Sequence, residues 1–144
     1  MYIRMCIGNQ ARGLAEKMYV GKSHLITGAG WDRTIGWLVE SNNKTMEQVF
    51  EDSKDWGNYS NSSFIATGTG VLAKTGAFGN NTKANNIFDL AGNAYELTNE
   101  KYIESGDGEL IRGGMFNDSG SKTVNVRRTN ASGYSVGFRV ALFL

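Results

Sequence analysis

The 144-residue sequence predicts a single α+β domain spanning residues 1–144. Three observations carry that reading. Apolar residues recur at helical spacing through the first third of the chain. The middle third is dense in Gly, Asn, Ser and Thr, with isolated aromatics. The last third alternates apolar and polar residues, as strands do.

The stretch NQARGLAEKMY, 9–19, places Ala11, Leu14, Ala15 and Met18 at i, i+3, i+4 and i+7, which predicts an amphipathic helix. In HLITGAGWDRTIGWLVES, 24–41, Trp31, Ile35 and Leu38 repeat at helical spacing, and Thr27 stands where an N-cap is needed. A helix from Thr27 to Glu40 would be about 21 Å long. Gly28, Gly30 and Gly36 weaken it, by up to about 1 kcal/mol each at interior positions. Thr45 and Gln48 have capping-box spacing, so a short third helix is expected over 45–52. From Trp56 to Asn86 the chain reads as ordered loop with short strands, pinned by Trp56, Tyr59, Phe64 and Phe78. ELIRGG, 109–114, reads as a strand ending in a Gly pair, and VNVRR, 124–128, alternates. VGFRVALFL, 136–144, reads as a central strand, because Ala141 and Phe143 make its second face apolar too.

Composition narrows the function classes. A net charge of +1 argues against a nucleic-acid partner, which would call for a basic excess. No apolar run approaches the roughly 20 residues that span a bilayer, so no membrane insertion is expected. MYIRMCIGNQ, 1–10, has too short an apolar stretch for a signal peptide. The single Cys6 excludes an internal disulfide and a cysteine metal cage. A reducing interior or a virion suits that. With 19 Gly and no Pro, the turns fall to Gly and Asn, which tolerate positive φ. Asn-x-Ser/Thr triplets at Asn43, Asn58, Asn61, Asn80, Asn117 and Asn130 follow from the Asn-rich composition and are not read as sugar attachment sites.

Five stretches resemble one family. NIFDLAGNAYELTNE, LIRGGMFND and GFRVALFL resemble the C-terminal half of the formylglycine-generating enzyme (sulfatase-modifying factor) domain, and SHLITGAGWDRTIGWL resembles its helix opening. QARGLAEKMY is similar to the helix before it. The matches keep the family's order across residues 9–144. The resemblance implies a C-type-lectin-like α+β fold, with N-terminal helices packed on a small antiparallel sheet and long ordered loops. It also implies that the family's N-terminal strands are missing here, as in a compact variant or a fragment. The active oxidases carry a copper-binding cysteine pair after the Arg-Gly-Gly strand. The corresponding residues here are Asp118 and Thr123. Thiolate chemistry cannot run on Asp and Thr, so neither copper nor oxidase activity is expected.

Two candidate sites follow. In 85–100, the resemblance implies calcium held by Asp89, the carbonyls of Gly92 and Ala94, and Glu96; calcium takes such oxygen ligands. The residues alone equally read as a Gly92-Asn93 turn capped by Asp89, with Leu90, Tyr95 and Leu97 in the core. In 112–134, polar residues alternate with short apolar anchors, the chemistry of an adaptable binding surface. Its candidate ligand contacts are Asn117, Asp118, Ser119, Ser121, Lys122, Asn125, Arg128, Asn130, Ser132 and Tyr134. Arg139 is expected to make a structural pair with Glu96. His24 is the sole histidine, which argues against a metal or triad role, and Asp32 with Arg33 reads as a solvated helix face.

The resulting expectation is a non-enzymatic binding module. Its partner would be a surface glycan or protein, in a bacteriophage, prophage or bacterial surface setting. Such domains resemble the variable proteins of diversity-generating retroelements, and the Asn-, Ser- and Tyr-rich 115–134 segment fits adenine-rich codons. The alternatives are a structural or assembly domain of a phage tail or fibre and, third, an oxidase-like enzyme.

Overall fold

A computed structural model of the chain describes residues 8–19, 21–64, 71–102, 108–129 and 136–142. The fold is mixed α+β. In chain order come α1 (Gly8–Met18), β1 (Ser23–Leu25), α2 (Gly28–Glu40) and α3 (Met46–Phe50). A 3-10 turn (Gly79–Thr82) leads to β2 (Lys83–Ala84) and β3 (Ile87–Phe88). Then follow β4 (Tyr95–Tyr102), β5 (Gly108–Arg112), β6 (Arg127–Thr129), β7 (Val136–Phe138) and β8 (Val140–Leu142).

The helix starts form as their sequences predict. Thr27 Oγ1 accepts from the Gly30 amide at 2.9 Å. Thr45 and Gln48 close a reciprocal capping box, satisfying two amides that a helix start otherwise leaves open. Trp31, Ile35 and Leu38 are buried together with Val49, Trp56, Tyr59, Leu90 and Val124. The stripe of α1 is narrower than its spacing suggests. Ala11 and Ala15 are buried, while Leu14 and Met18 are exposed. Two alanines one turn apart let the helix sit close to the sheet and turn its larger side chains outward.

The main sheet has the order β6-β5-β4-β7. The first three strands are antiparallel, but β7 runs parallel to β4, so the expected antiparallel sheet is in fact mixed. A strand that returns by a long connection to lie beside β4 can run in the same direction, as a tight hairpin cannot. The 136–144 stretch is not one central strand. It breaks at Arg139 into β7, at the edge of the main sheet, and β8, which pairs with β1. The break turns Arg139 toward Glu96 and gives its carbonyl to the Ile26 amide at 3.1 Å. Over 124–128, a turn closes first (Val126 amide to Thr123 carbonyl, 2.9 Å) and the strand starts only at Arg127.

Register sorts the sheet's two faces. Tyr95, Leu97, Ile111, Val136 and Phe138 pack with Ala11, Ala15 and Leu25. The opposite face aligns Glu96 with Arg112, and Arg112 with Arg127. That polar face meets α2. The Arg112 guanidinium lies 6.0 Å from the Trp31 ring centre, and the Glu100 side chain occupies the space a Cβ would take at Gly28.

In 85–100, Leu90, Tyr95 and Leu97 are fully buried, as core residues should be. Gly92 has φ +69°, and a Cβ there would sit 2.4 Å from the Asn58 carbonyl oxygen, so only Gly fits. Asp89 caps a different turn from the one expected: its Oδ2 accepts from the Gly76 amide at 2.7 Å.

Candidate functional site

The residues of 112–129 are divided by local hydrogen bonds rather than spread over one free surface. Asp118 folds its own turn, its Oδ2 accepting from the Met115 amide at 3.1 Å. Its carbonyl accepts from both the amide and the hydroxyl of Ser60 at 2.9 Å. Ser119 and Ser121 bond to each other at 2.6 Å. Asn117, Ser119, Ser121 and Lys122 are exposed. Thr123 and Val124 are buried, with the Val124 carbonyl accepting from the Trp31 indole at 3.0 Å. Asn130, Ser132 and Tyr134 lie outside the described residues.

Arg128 reaches back across the sheet. It donates to the Tyr95 hydroxyl at 3.1 Å and sits 5.8 Å from that ring's centre. Burial pushes the Tyr95 phenol up to about 12, with Arg128 opposing the shift and Asp118 adding to it. Asp118, Tyr95 and Arg128 therefore form one cluster.

Arg127, Arg112 and Asn125 belong to a second site, which the sequence did not signal. Arg112 is 1 % exposed, and burial lowers its guanidinium's pKa. It donates to Asp32 and, at 3.1 Å, to the Asn125 carbonyl. Its Nε has no hydrogen-bond partner but lies 3.5 Å from Glu100 Oε2. Arg127 joins the same acids from the surface, 2.9 Å from Glu100 and 3.1 Å from Asp32. Two guanidiniums thus share two carboxylates. Above them opens a groove of about 300 Å³, lined by Asp32, Ile35 and Gly36 of α2, Phe50 of α3, and Arg112, Asn125 and Arg127. Asp32 is not merely solvated: it holds the buried Arg112 and the exposed Arg127 together. Those partners lie 80 and 95 residues away, so helical spacing could not reveal them.

The two carboxylates of the implied calcium set have protein partners, Asp89 accepting from the Gly76 amide and Glu96 from Arg139. Glu96 is fully buried, and Arg139 takes both its oxygens, at 2.8 and 2.5 Å, as expected of that pair. Burial raises the Glu96 pKa, and the guanidinium opposes it. The same guanidinium reaches the Phe88 carbonyl at 3.2 Å. A calcium ion would have to displace Arg139 to use Glu96, and no group of three His, Cys, Asp or Glu is placed to hold a metal among the described residues. As arranged, the set does not fit calcium. His24 Nδ1 lies 2.6 Å from the Leu25 carbonyl oxygen in β1.

No family model matches the chain, and no curated protein matches it.

Proposed function

We propose that this chain is a non-enzymatic ligand-binding module that holds a surface glycan or protein in the groove between α2 and the 112–127 segment, on a phage or bacterial surface. The carrying observation is the groove. Arg112, Asn125 and Arg127 come from the stretch whose composition suits binding, and they meet Asp32 and Phe50 there. Its lining offers paired donors and acceptors beside one exposed aromatic, a combination that orients a ligand. Its one carboxylate among the described residues, Asp32, is already paired with Arg112 and Arg127.

The fold reading that goes with it is C-type-lectin-like, of the formylglycine-generating type. The Arg139–Glu96 pair supports it, because it joins the Gly-Phe-Arg stretch to the Gly-Asn-x-aromatic-Glu stretch, two of the motifs that carry the resemblance. Asp118 and Thr123 in place of the cysteines keep the oxidase reaction out of this proposal. A second reading, an assembly domain of a tail or fibre, draws support from Met46 and Phe50, which stand 60 % and 46 % exposed on α3.

Binding of the labelled chain to bacterial cells tests the proposal. Asn125→Ala with Arg127→Ala should weaken binding at least about tenfold while the melting temperature holds. Binding that survives the double change places the site elsewhere. Removing calcium with a chelator should leave binding unchanged, since Arg139 already neutralises Glu96. A chelator-sensitive signal would restore the calcium reading.

A further inference from the structure

A second groove opens on the other side of the α2 C-terminus, and its chemistry differs from the first. One wall comes from α2 and the turn after it: Trp37, Ser41 and Asn43. The other comes from the 3-10 turn and the β2–β3 hairpin: Asn80, Lys83, Asn85 and Asn86. It is shallow and open to solvent, with a volume of about 670 Å³.

The local structure explains why these side chains converge. Asn42 takes φ +55°, and the Asn42 and Asn43 amides return to the Val39 and Leu38 carbonyls, at 3.0 and 2.9 Å. That closes α2 in the usual left-handed manner and projects Asn43 across the gap. Ala84 pairs directly with Ile87, so Asn85 and Asn86 form a two-residue hairpin tip. Asn43 Nδ2 donates to Asn85 Oδ1 at 2.9 Å, tying the two walls together. Asn43 Oδ1 is buried without a partner, so Asn43 serves to join the walls rather than to face the groove.

Trp37 is the feature that folding does not explain. Trp31 and Trp56 are buried, but Trp37 is 45 % exposed at the groove's rim. A flat indole face beside four primary amides, one hydroxyl and one ammonium matches one ligand chemistry closely. A pyranose ring has an apolar C–H face that stacks on an indole. Its rim carries neighbouring hydroxyls, each both donor and acceptor, and an Asn amide offers a donor and an acceptor side by side. An extended protein segment would instead ask for apolar pockets or an open strand edge. Among the described residues the lining holds no carboxylate, so acidic sugars are not repelled.

We infer that the Trp37–Asn43–Asn85 groove is an oligosaccharide-binding site, separate from the Arg112–Arg127 groove. The ring stacks on Trp37, and the amides of Asn80, Asn85 and Asn86, with the Lys83 ammonium, bond the hydroxyl rim. This inference does not need the Arg112–Arg127 groove to bind anything.

The test uses the full chain on a glycan array, followed by titration of the best oligosaccharides against intrinsic fluorescence. Trp37 is the exposed indole of the three, so binding should shield it from acrylamide quenching. Trp37→Ala should weaken binding at least about thirtyfold, as loss of an aromatic anchor does, and Asn80→Ala with Asn86→Ala about tenfold. For the oligosaccharides that shield Trp37 from quenching, Asn125→Ala with Arg127→Ala should leave affinity within about twofold, which separates this site from the first. Unchanged melting temperatures certify the folds, and Trp37→Phe should recover part of the affinity. The inference fails if no oligosaccharide on the array binds. It fails equally if Trp37→Ala binds like the parent. It also fails if sedimentation shows Trp37 buried by a second copy of the chain.

Discussion

The two faces of the main sheet are built from alternate residues of the same strands, yet they do opposite work. Toward α1, Tyr95, Leu97, Ile111, Val136 and Phe138 pack against two alanines. Toward α2, Glu96, Glu100, Arg112 and Arg127 form ion pairs, and only part of that network reaches water. The apolar face stabilises by being withdrawn from water. The ionic face carries the desolvation of its charges, which pairing offsets only when every partner is present. One face stabilises by apolar burial, and the other sets Arg112 and Arg127 beside the first groove.

The largest effect should come from splitting a pair on the ionic face. Arg139→Ala leaves Glu96 buried and unpaired, and should cost about 3–5 kcal/mol in urea unfolding. The double change Glu96→Leu with Arg139→Met should cost far less, because no orphaned charge remains. Equal losses for the single and double changes would mean that packing, not charge, makes this face sensitive. On the apolar face, Leu97→Ala should cost about 3 kcal/mol by opening a cavity, with no relief from a second change. A loss under about 1 kcal/mol would show that the face is not the closed core its burial implies.

A smaller effect, on the apolar face, is read through pH. The Tyr95 phenol is raised from its ordinary 10.0 to about 12. A raised group contributes stability that is fully present below its unfolded value and is lost as pH rises through its folded value. Unfolding followed from pH 9 upward should therefore show stability falling between about 10 and about 12. Tyr95→Phe should flatten part of that fall. An unchanged alkaline profile in the variant would assign the loss to other tyrosines, Tyr59 first, which burial also raises.

What the sequence made legible was local. Thr27 with Trp31, Ile35 and Leu38, and Thr45 with Gln48, lie within a few turns of one another, so spacing alone placed two helices and their caps. The Glu96–Arg139 pair spans 43 residues and was reached through resemblance rather than periodicity. Strands β1 and β4 went unpredicted, since β1 depends on Val140–Leu142 and β4 mixes buried Glu96 and Thr98 with its apolar residues. The Arg112–Asp32 contact, and with it the first groove, was invisible because Asp32 looks like any polar residue on an exposed helix face. The second groove hid for a related reason. Asn42, Asn43, Asn85 and Asn86 read as turn residues, which they are, and only the fold reveals that two turns face each other across Trp37.

The pairing of Glu96 with Arg139 also bears on how the chain is made. During synthesis Glu96 emerges well before Arg139, and β7, which lies beside β4, emerges just ahead of that arginine. Until then, the nascent sheet would have to bury an acid with no counter-charge. Burial of a charged Glu96 in β4 is thereby tied to a residue 43 positions further along the chain.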